Sequence, residues 1–242
     1  MPSNESKKKF INIMYTNADS LSNKINELET HAAYYDADFI LISEHLSKNP
    51  SSNFSNIYNL EGFNCIDNNQ GRGVCIFYKS NFEVVLHDKI NEKFQPSIFF
   101  TIKNDIKPIN IGLVYRSPNS EEKENKKLNN QLSFAFKKLK NLVVFGDFNH
   151  PNIEWDYNYC KRGEDHCDSK FLFELTKLNI NQLITSNTHF KPKCKPSLID
   201  LILTKNPELI LNIKHNPPIA KSHHQIITAQ LNITKNNKKN FK

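Results

Sequence analysis

Short apolar runs of β-forming residues alternate along this chain with stretches whose apolar positions recur every three to four residues, and the order of the two patterns predicts the fold. Asn12 to Thr16 reads as a first strand, followed by Asn17, Ala18, Asp19 and Ser20, the last two natural helix caps. Leu21, Ile25, Leu28 and Ala32 then keep helical spacing, with Lys24, Glu27 and Glu29 on other faces, so an amphipathic helix is expected to pack on a sheet. Phe39 to Ile42 is a second strand, stopped at Ser43 and Glu44. The stretch from Leu46 to Asn59 is rich in Ser and Asn and has no period, which predicts a surface loop.

The middle of the chain reads as a meander. Gly62 to Asp67 and Gly73 to Tyr78 are expected to pair through the turn residues Asn68 to Arg72, and Phe82 to Leu86, Ile98 to Ile102 and Ile109 to Tyr115 continue the strands. Glu121 to Lys140 is a helix with Ser120 as its cap and Leu128, Leu132, Phe136 and Leu139 as its stripe. A buried strand then runs through Val143, Val144 and Phe145 into Gly146, Asp147, Phe148, Asn149, His150 and Pro151. Pro151 to Asp165 is expected to be irregular, Asp168 to cap a helix carrying Phe171, Leu172, Leu175 and Leu178, and Ser197 to Thr204 to be a strand with Asp200 embedded in it. Leu209 to Ile213 and Gln225 to Ile233 close the pattern. No fixed-period repeat or Pro/Gly linker divides the chain, so 10–233 reads as one α/β domain between a basic N-terminus, 1–9, and a basic tail, 234–242. Strands with helices on either side of a meander predict a four-layer sandwich of two mixed β-sheets flanked by helices.

Polar residues gather at the ends of these strands. Asp147 and Asn149 share one face if the extended conformation persists through Phe148, and a carboxylate beside an amide suits proton transfer, cation binding and phosphate recognition. An Asp/Asn turn that caps its own backbone is the commoner use of the same residues. Asp200 sits among Leu198, Ile199, Leu201 and Ile202, where a carboxylate is costly unless paired.

Lys and Arg number 32 against 25 Asp and Glu, a net charge of +7, which fits a polyanionic partner, although Lys7 to Lys9 and the run Lys235 to Lys242 read as solvated, mobile tails. The five cysteines are odd in number and lack paired C-x-x-C spacing, which argues against a disulfide framework or a zinc site. Cys160, His166 and Cys167 sketch a metal cluster, but a loop of reduced thiols fits them better. With no apolar span long enough for a bilayer and no apolar signal core, the protein is expected to be soluble, intracellular and not secreted, without a membrane partner.

Taken in order, the residues resemble the endonuclease/exonuclease/phosphatase (DNase I-like) superfamily from about Asn12 to Asn232, most narrowly the endonuclease domain of non-LTR retrotransposons. The segments that carry the resemblance are Gly71 to Val74; Val114 to Pro118; Gly146 to Pro151 with Ile153 and Trp155; Gln182 to Ile184 with Thr188; and Ile199 to Thr204. It implies Glu44 as the principal Mg²⁺ ligand, helped by Asn17, with Mn²⁺ as a substitute metal. It further implies that Asp147 orients or deprotonates the attacking water, that Asn149 holds the water or the phosphate, and that Tyr115 bonds a phosphate oxygen. Asp200 would pair with His224, which faces the scissile phosphate, while Arg72, Arg116, Thr188 and Ser222 would bind substrate. The implied partners are double-stranded DNA, nicked to leave a 3′ hydroxyl, and a reverse transcriptase with its element RNA encoded elsewhere; the implied location is nuclear. The chain ends soon after the last strand, so the expectation is a detached domain, a truncated copy or a separately encoded relative.

One position departs from the pattern. Where Ser, Asp, His is usual, this chain has Ser222, His223, His224, so a carboxylate is missing and catalysis is expected to be weakened rather than abolished. The rival expectations are a remnant that binds DNA without cutting well, and a relative acting on abasic DNA or another phosphoester.

Overall fold

The computed structural model describes residues 9–46, 59–104 and 106–234. All but Thr234 of the C-terminal tail, all but Lys9 of the N-terminal one, and most of the expected Ser/Asn-rich loop lie outside them. In chain order the elements are β1 Phe10–Asn17, α1 Ile25–Tyr34, β2 Phe39–Ser43, β3 Phe63–Asn68, β4 Val74–Lys79, β5 Glu83–Leu86, α2 Asp88–Asn91, β6 Ser97–Lys103 and β7 Ile109–Tyr115. There follow α3 Glu122–Lys138, β8 Leu142–Asp147, β9 Ile153–Glu154, β10 Tyr159–Cys160, α4 Cys167–Lys177, β11 Asn181–Gln182, β12 Asp200–Thr204, β13 Ile210–Asn216 and β14 Ile226–Asn232.

Two six-stranded mixed sheets result, ordered β13-β14-β1-β2-β4-β3 and β11-β12-β8-β7-β6-β5. Both follow one plan: a central parallel pair, β1 with β2 or β7 with β8, flanked by antiparallel neighbours. Alternation along each strand sorts the layers. Ile11, Ile13 and Tyr15 of β1 join Val143 and Phe145 of β8 in the core between the sheets. Met14 of β1 turns outward to Leu28 and Ala32 of α1, while Val144 of β8 turns outward to Leu132 of α3 and Phe171 of α4. The central strands are buried on both faces, which is why they read as continuous apolar runs rather than alternating ones. The four-layer sandwich expected from the sequence is the architecture found.

Several local expectations are corrected. Asp19 and Ser20 do not cap α1, which starts only at Ile25. Both have left-handed backbone, and the chain first runs beside the end of β2, with Ala18 N, Ser20 N and Leu21 N donating to the carbonyls of Ser43, Glu44 and His45. Ser120 does not cap α3; Glu121 occupies that position without a side-chain cap. The stretch after Pro151 is not wholly irregular but forms the β9–β10 hairpin. His166, not Asp168, caps α4, because its ring accepts from Asp168 N while the Asp168 carboxylate turns to His150 and Asn152. Asp200 begins its strand rather than standing inside it.

Gly146 lets β7 and β8 approach at the strand end that carries Asp147. A Cβ added there would lie 2.1 Å from the Val114 carbonyl oxygen, a backbone atom that cannot move aside without parting the two strands. Gly146→Ala is therefore expected to destabilise the fold by ~1–3 kcal/mol or more, the range for overpacking a dense core. Urea unfolding measures it, and an unchanged midpoint would contradict the placement.

Candidate active site

Six strand termini meet at one edge of the sandwich. Asn17 and Ser43 are register partners at the ends of β1 and β2, Tyr115 and Asp147 at the ends of β7 and β8, and Asp147 stands opposite Asp200 at the start of β12. His224 arrives on the segment just before β14, held by a bridge to His189. The common edge explains why residues far apart in sequence come together.

Asn17 ties the first sheet to the second. Its amide nitrogen donates to Glu44 Oε1 at 3.0 Å and to Asp147 Oδ2 at 2.9 Å, and its oxygen accepts from Asp19 N at 2.9 Å. The expected metal-ligand pair is thus adjacent, but Asn17 faces Glu44 as a donor and its oxygen is engaged elsewhere. Arg72, expected at substrate, instead ion-pairs with Glu44 Oε2 and Asp19 Oδ1, each at 2.7 Å. Burial, followed by the Glu44 and Asp147 charges and a hydrogen bond with Glu44, raises the Tyr115 hydroxyl well above its ordinary pKa, so it remains a donor.

The second group is built on the buried carboxylate. Asp200 Oδ2 lies 2.8 Å from His224 Nδ1, Oδ1 accepts from the Tyr15 hydroxyl at 2.7 Å, and Thr188 Oγ1 accepts from Asp200 N at 3.1 Å. The expected Asp200–His224 pair is present. Burial favours the neutral acid at Asp200, but the His224 cation and the hydrogen bonds from His224, Thr188 and Tyr15 outweigh it and hold Asp200 below the usual carboxylate range. Burial would also discharge His224, yet Asp200, then Asp147 and Glu44, raise it to about 9. Asp147 moves the other way. Burial and the nearby Asp200 charge, with Glu44, raise it well above an ordinary carboxylate, despite His224 and the Asn17 amide. Two carboxylates in register are thereby given different basicities: Asp200 is the persistent anion and Asp147 the one that more readily takes a proton. His224 Nε2 lies 4.0 Å from Asp147 Oδ2.

Other expected site residues are placed differently. Extended backbone does not persist through Phe148: Asn149 has a φ of 51°, its N donates to Asp147 Oδ1, and its side-chain amide donates to the Arg116 carbonyl, so the capping turn is the conformation found. Arg116 is 2% exposed and serves Asn125 Oδ1, the Phe148 and Asn149 carbonyls and Cys167 Sγ, which makes it a buried brace rather than a substrate contact. Thr188 is buried behind Asp200, and Ser222 donates to the Asn17 carbonyl while accepting from His224 N, so both orient the site from inside. His223 leans toward His189, with ring centroids 6.3 Å apart, and His189 packs on His224 at 4.6 Å. Sequence reasoning missed Tyr15 and His189. The signal for Tyr15 was a hydroxyl on a buried strand that must find a partner.

Two groups of three could hold a metal ion among the described residues: Asp147, Asp200 and His224; and His150, Cys167 and Asp168. In the second, Asp168 already accepts from His150, Cys167 and Asn152, and the Arg116 guanidinium lies 3.5 Å from Cys167 Sγ, so a further cation would meet repulsion. Neither group is the Cys160–His166–Cys167 set, although Cys167 belongs to the second, and all five cysteines are free. At the first sheet's edge the hard oxygens of Glu44 and Asp147 are bridged by Asn17. Charge crowding at Asp147 is what a divalent cation would relieve, so the oxygen donors there fit a hard divalent cation.

The four-layer sandwich of two mixed sheets flanked by helices is the DNase I-like fold, that of the endonuclease/exonuclease/phosphatase class. Residues 109–228, from β7 into β14, match the family described as Endonuclease-reverse transcriptase. Among solved structures the chain is similar to the endonuclease domain of TRAS1, a telomere-specific non-LTR retrotransposon, at 15% identity and a TM-score of 0.72, over 93% of this chain and 100% of that one. It is similar to the 3′-5′ exonuclease NExo of Neisseria meningitidis at 16% identity and a TM-score of 0.67, covering 92% and 100%. An AP endonuclease from Archaeoglobus fulgidus matches at 17% identity and a TM-score of 0.62, covering 92% and 100%. No curated protein matches the chain. The resemblance read from the sequence is upheld; at these identities the solved structures speak for the fold.

Burial pushes His150 down to about 4, against the pull of the adjacent Asp168. An unfolded imidazole titrates near 6.5. The folded protein thus refuses a proton that the unfolded chain accepts, so stability present above pH 6.5 is lost as pH falls toward 4. Urea unfolding at stepped pH is expected to show a loss of ~3 kcal/mol across that window, with the slope reduced in His150→Gln. An unchanged slope in His150→Gln would contradict the buried neutral imidazole, since Asp147, raised in the folded state, titrates with the opposite sign in the same window.

Proposed function

We propose that this chain is a Mg²⁺-dependent endonuclease of the non-LTR retrotransposon type, which nicks double-stranded DNA and leaves a 3′ hydroxyl that primes reverse transcription. The observation that carries the reading is one strand edge at which Asn17 links Glu44 to Asp147, and Asp147 stands in register with Asp200, itself 2.8 Å from His224. Mg²⁺, or Mn²⁺ in its place, supplies positive charge to the phosphate when bound at Glu44 with Asn17 and Asp147 beside it. Asp147 accepts a proton from water as the water oxygen bonds to phosphorus and the bond to the 3′ oxygen breaks, and the leaving 3′ oxygen takes a proton from solvent water to become the hydroxyl. The cationic His224 stabilises charge building on the phosphate oxygens. Tyr115 donates to a phosphate oxygen, and the Asn149 turn fixes Asp147.

Charge supports DNA as the substrate. Lys191, Lys193 and Lys195 are exposed with Phe190 on the loop that leaves His189, directly beside His224, so a basic rim adjoins the proposed chemistry. Such a rim neutralises backbone phosphates and makes binding fall with salt. No helix among the described residues is long and apolar enough to cross a membrane. Action in the nucleus, with a reverse transcriptase and element RNA as partners, belongs to the same proposal.

A second reading rests on His223. An imidazole there cannot give Mg²⁺ the hard anionic oxygen of a carboxylate, so cutting is weakened and DNA binding is the residual activity. Purified protein is expected to convert supercoiled plasmid to open circles with Mg²⁺, not with EDTA, and Glu44→Ala to lower the rate at least about 100-fold. His223→Asp is expected to raise it about 10–100-fold. Well-folded protein that binds DNA without nicking, and gains nicking in His223→Asp, would favour the remnant; no nicking by either would overturn the nuclease reading.

A further inference from the structure

One buried polar group beside the site has no part in the mechanism above. Tyr15 has no solvent exposure, and its ring lies in the core between the sheets, 6.3 Å from that of Phe145. Its hydroxyl donates to Asp200 Oδ1 at 2.7 Å, while the other oxygen of the same carboxylate meets His224 Nδ1 at 2.8 Å. Ser43 Oγ lies 3.4 Å from the Tyr15 hydroxyl, extending the chain to the end of β2. A phenylalanine would pack as well, so the hydroxyl's contribution is its bond to Asp200. Tyr15 belongs to the first sheet and Asp200 to the second, so this bond crosses the sandwich at its catalytic edge.

We propose that Tyr15 is a positioning residue for phosphodiester cleavage: by anchoring one oxygen of Asp200 it fixes the plane of the carboxylate, and with it the direction and tautomer of the His224 imidazole. The inference rests on the nuclease reading and adds a group to it. With partners on both oxygens, rotation of the carboxylate breaks two bonds rather than one. Tyr15 is sealed from solvent and substrate, so it acts only through Asp200. Outer partners that orient a functional group in this way are typically felt about 10–100-fold when removed.

Tyr15→Phe keeps the ring and removes only the hydroxyl. The variant is expected to fold with a melting temperature lowered by about 2–10 °C, since one buried oxygen of Asp200 loses its donor, to keep its KM for plasmid DNA, and to lose about 10–100-fold in kcat. The Nδ1 proton resonance of His224, read by NMR, should move. On an Asp200→Asn background the same substitution should add no further loss, because its route is already cut. A Phe variant that unfolds, or that folds with unchanged kcat and an unmoved resonance, overturns the proposal, as does a loss that adds fully to that of Asp200→Asn. Failure of the parent protein to nick would remove the nuclease reading instead, while the resonance still decides whether Tyr15 governs His224.

Discussion

A carboxylate with no solvent exposure stands at the seam of two sheets, and much of the site follows from what is needed to keep it charged. Burying an ion without partners costs several kcal/mol, so Asp200 must be met by donors on every side. The first sheet sends Tyr15, the segment before β14 sends His224, and Thr188 secures the backbone. Each partner is itself thereby fixed: His224 keeps its proton, and Asp147, in register with Asp200, finds ionisation harder. The polarity of the site thus begins as a problem of burial.

The repeated plan of the two sheets makes the convergence possible. Each carries a central parallel pair whose strands end at the same edge, so Asn17 and Ser43 face Tyr115 and Asp147 across the sandwich. Asn17 bridges Glu44 from the first sheet to Asp147 from the second. Packing of apolar faces sets the separation, and a few polar bonds set the register of the chemistry.

Much of this was legible in the sequence because the strands are buried on both sides and end abruptly in polar residues. The run into Asp147, the stop at Ser43 and Glu44, and the costly Asp200 all pointed to one edge. What sequence could not give was side-chain direction. Arg116 reads as a basic residue at a strand end, yet its donors are consumed by carbonyls of the Asn149 turn and by Asn125, and nothing in the local pattern marks those partners. Arg72 likewise turned to Glu44 and Asp19, partners set by tertiary contact. The delayed start of α1 arose the same way, since Asp19 and Ser20 follow the end of β2 rather than their own helical preference. Tyr15 was hidden by its apolar neighbours.

Glu44, next to Asn17 and Asp147, is where we propose that a divalent cation sits, with Arg72 as the counter-ion that shares its carboxylate. Crystals grown without metal and soaked in Mn²⁺ test this by anomalous scattering. A peak is expected about 2.0–2.2 Å from a Glu44 carboxylate oxygen, within the range of hard-cation ligation, together with a shifted Arg72. A peak at His150, Cys167 and Asp168, or none at Glu44 under saturating Mn²⁺, would contradict it.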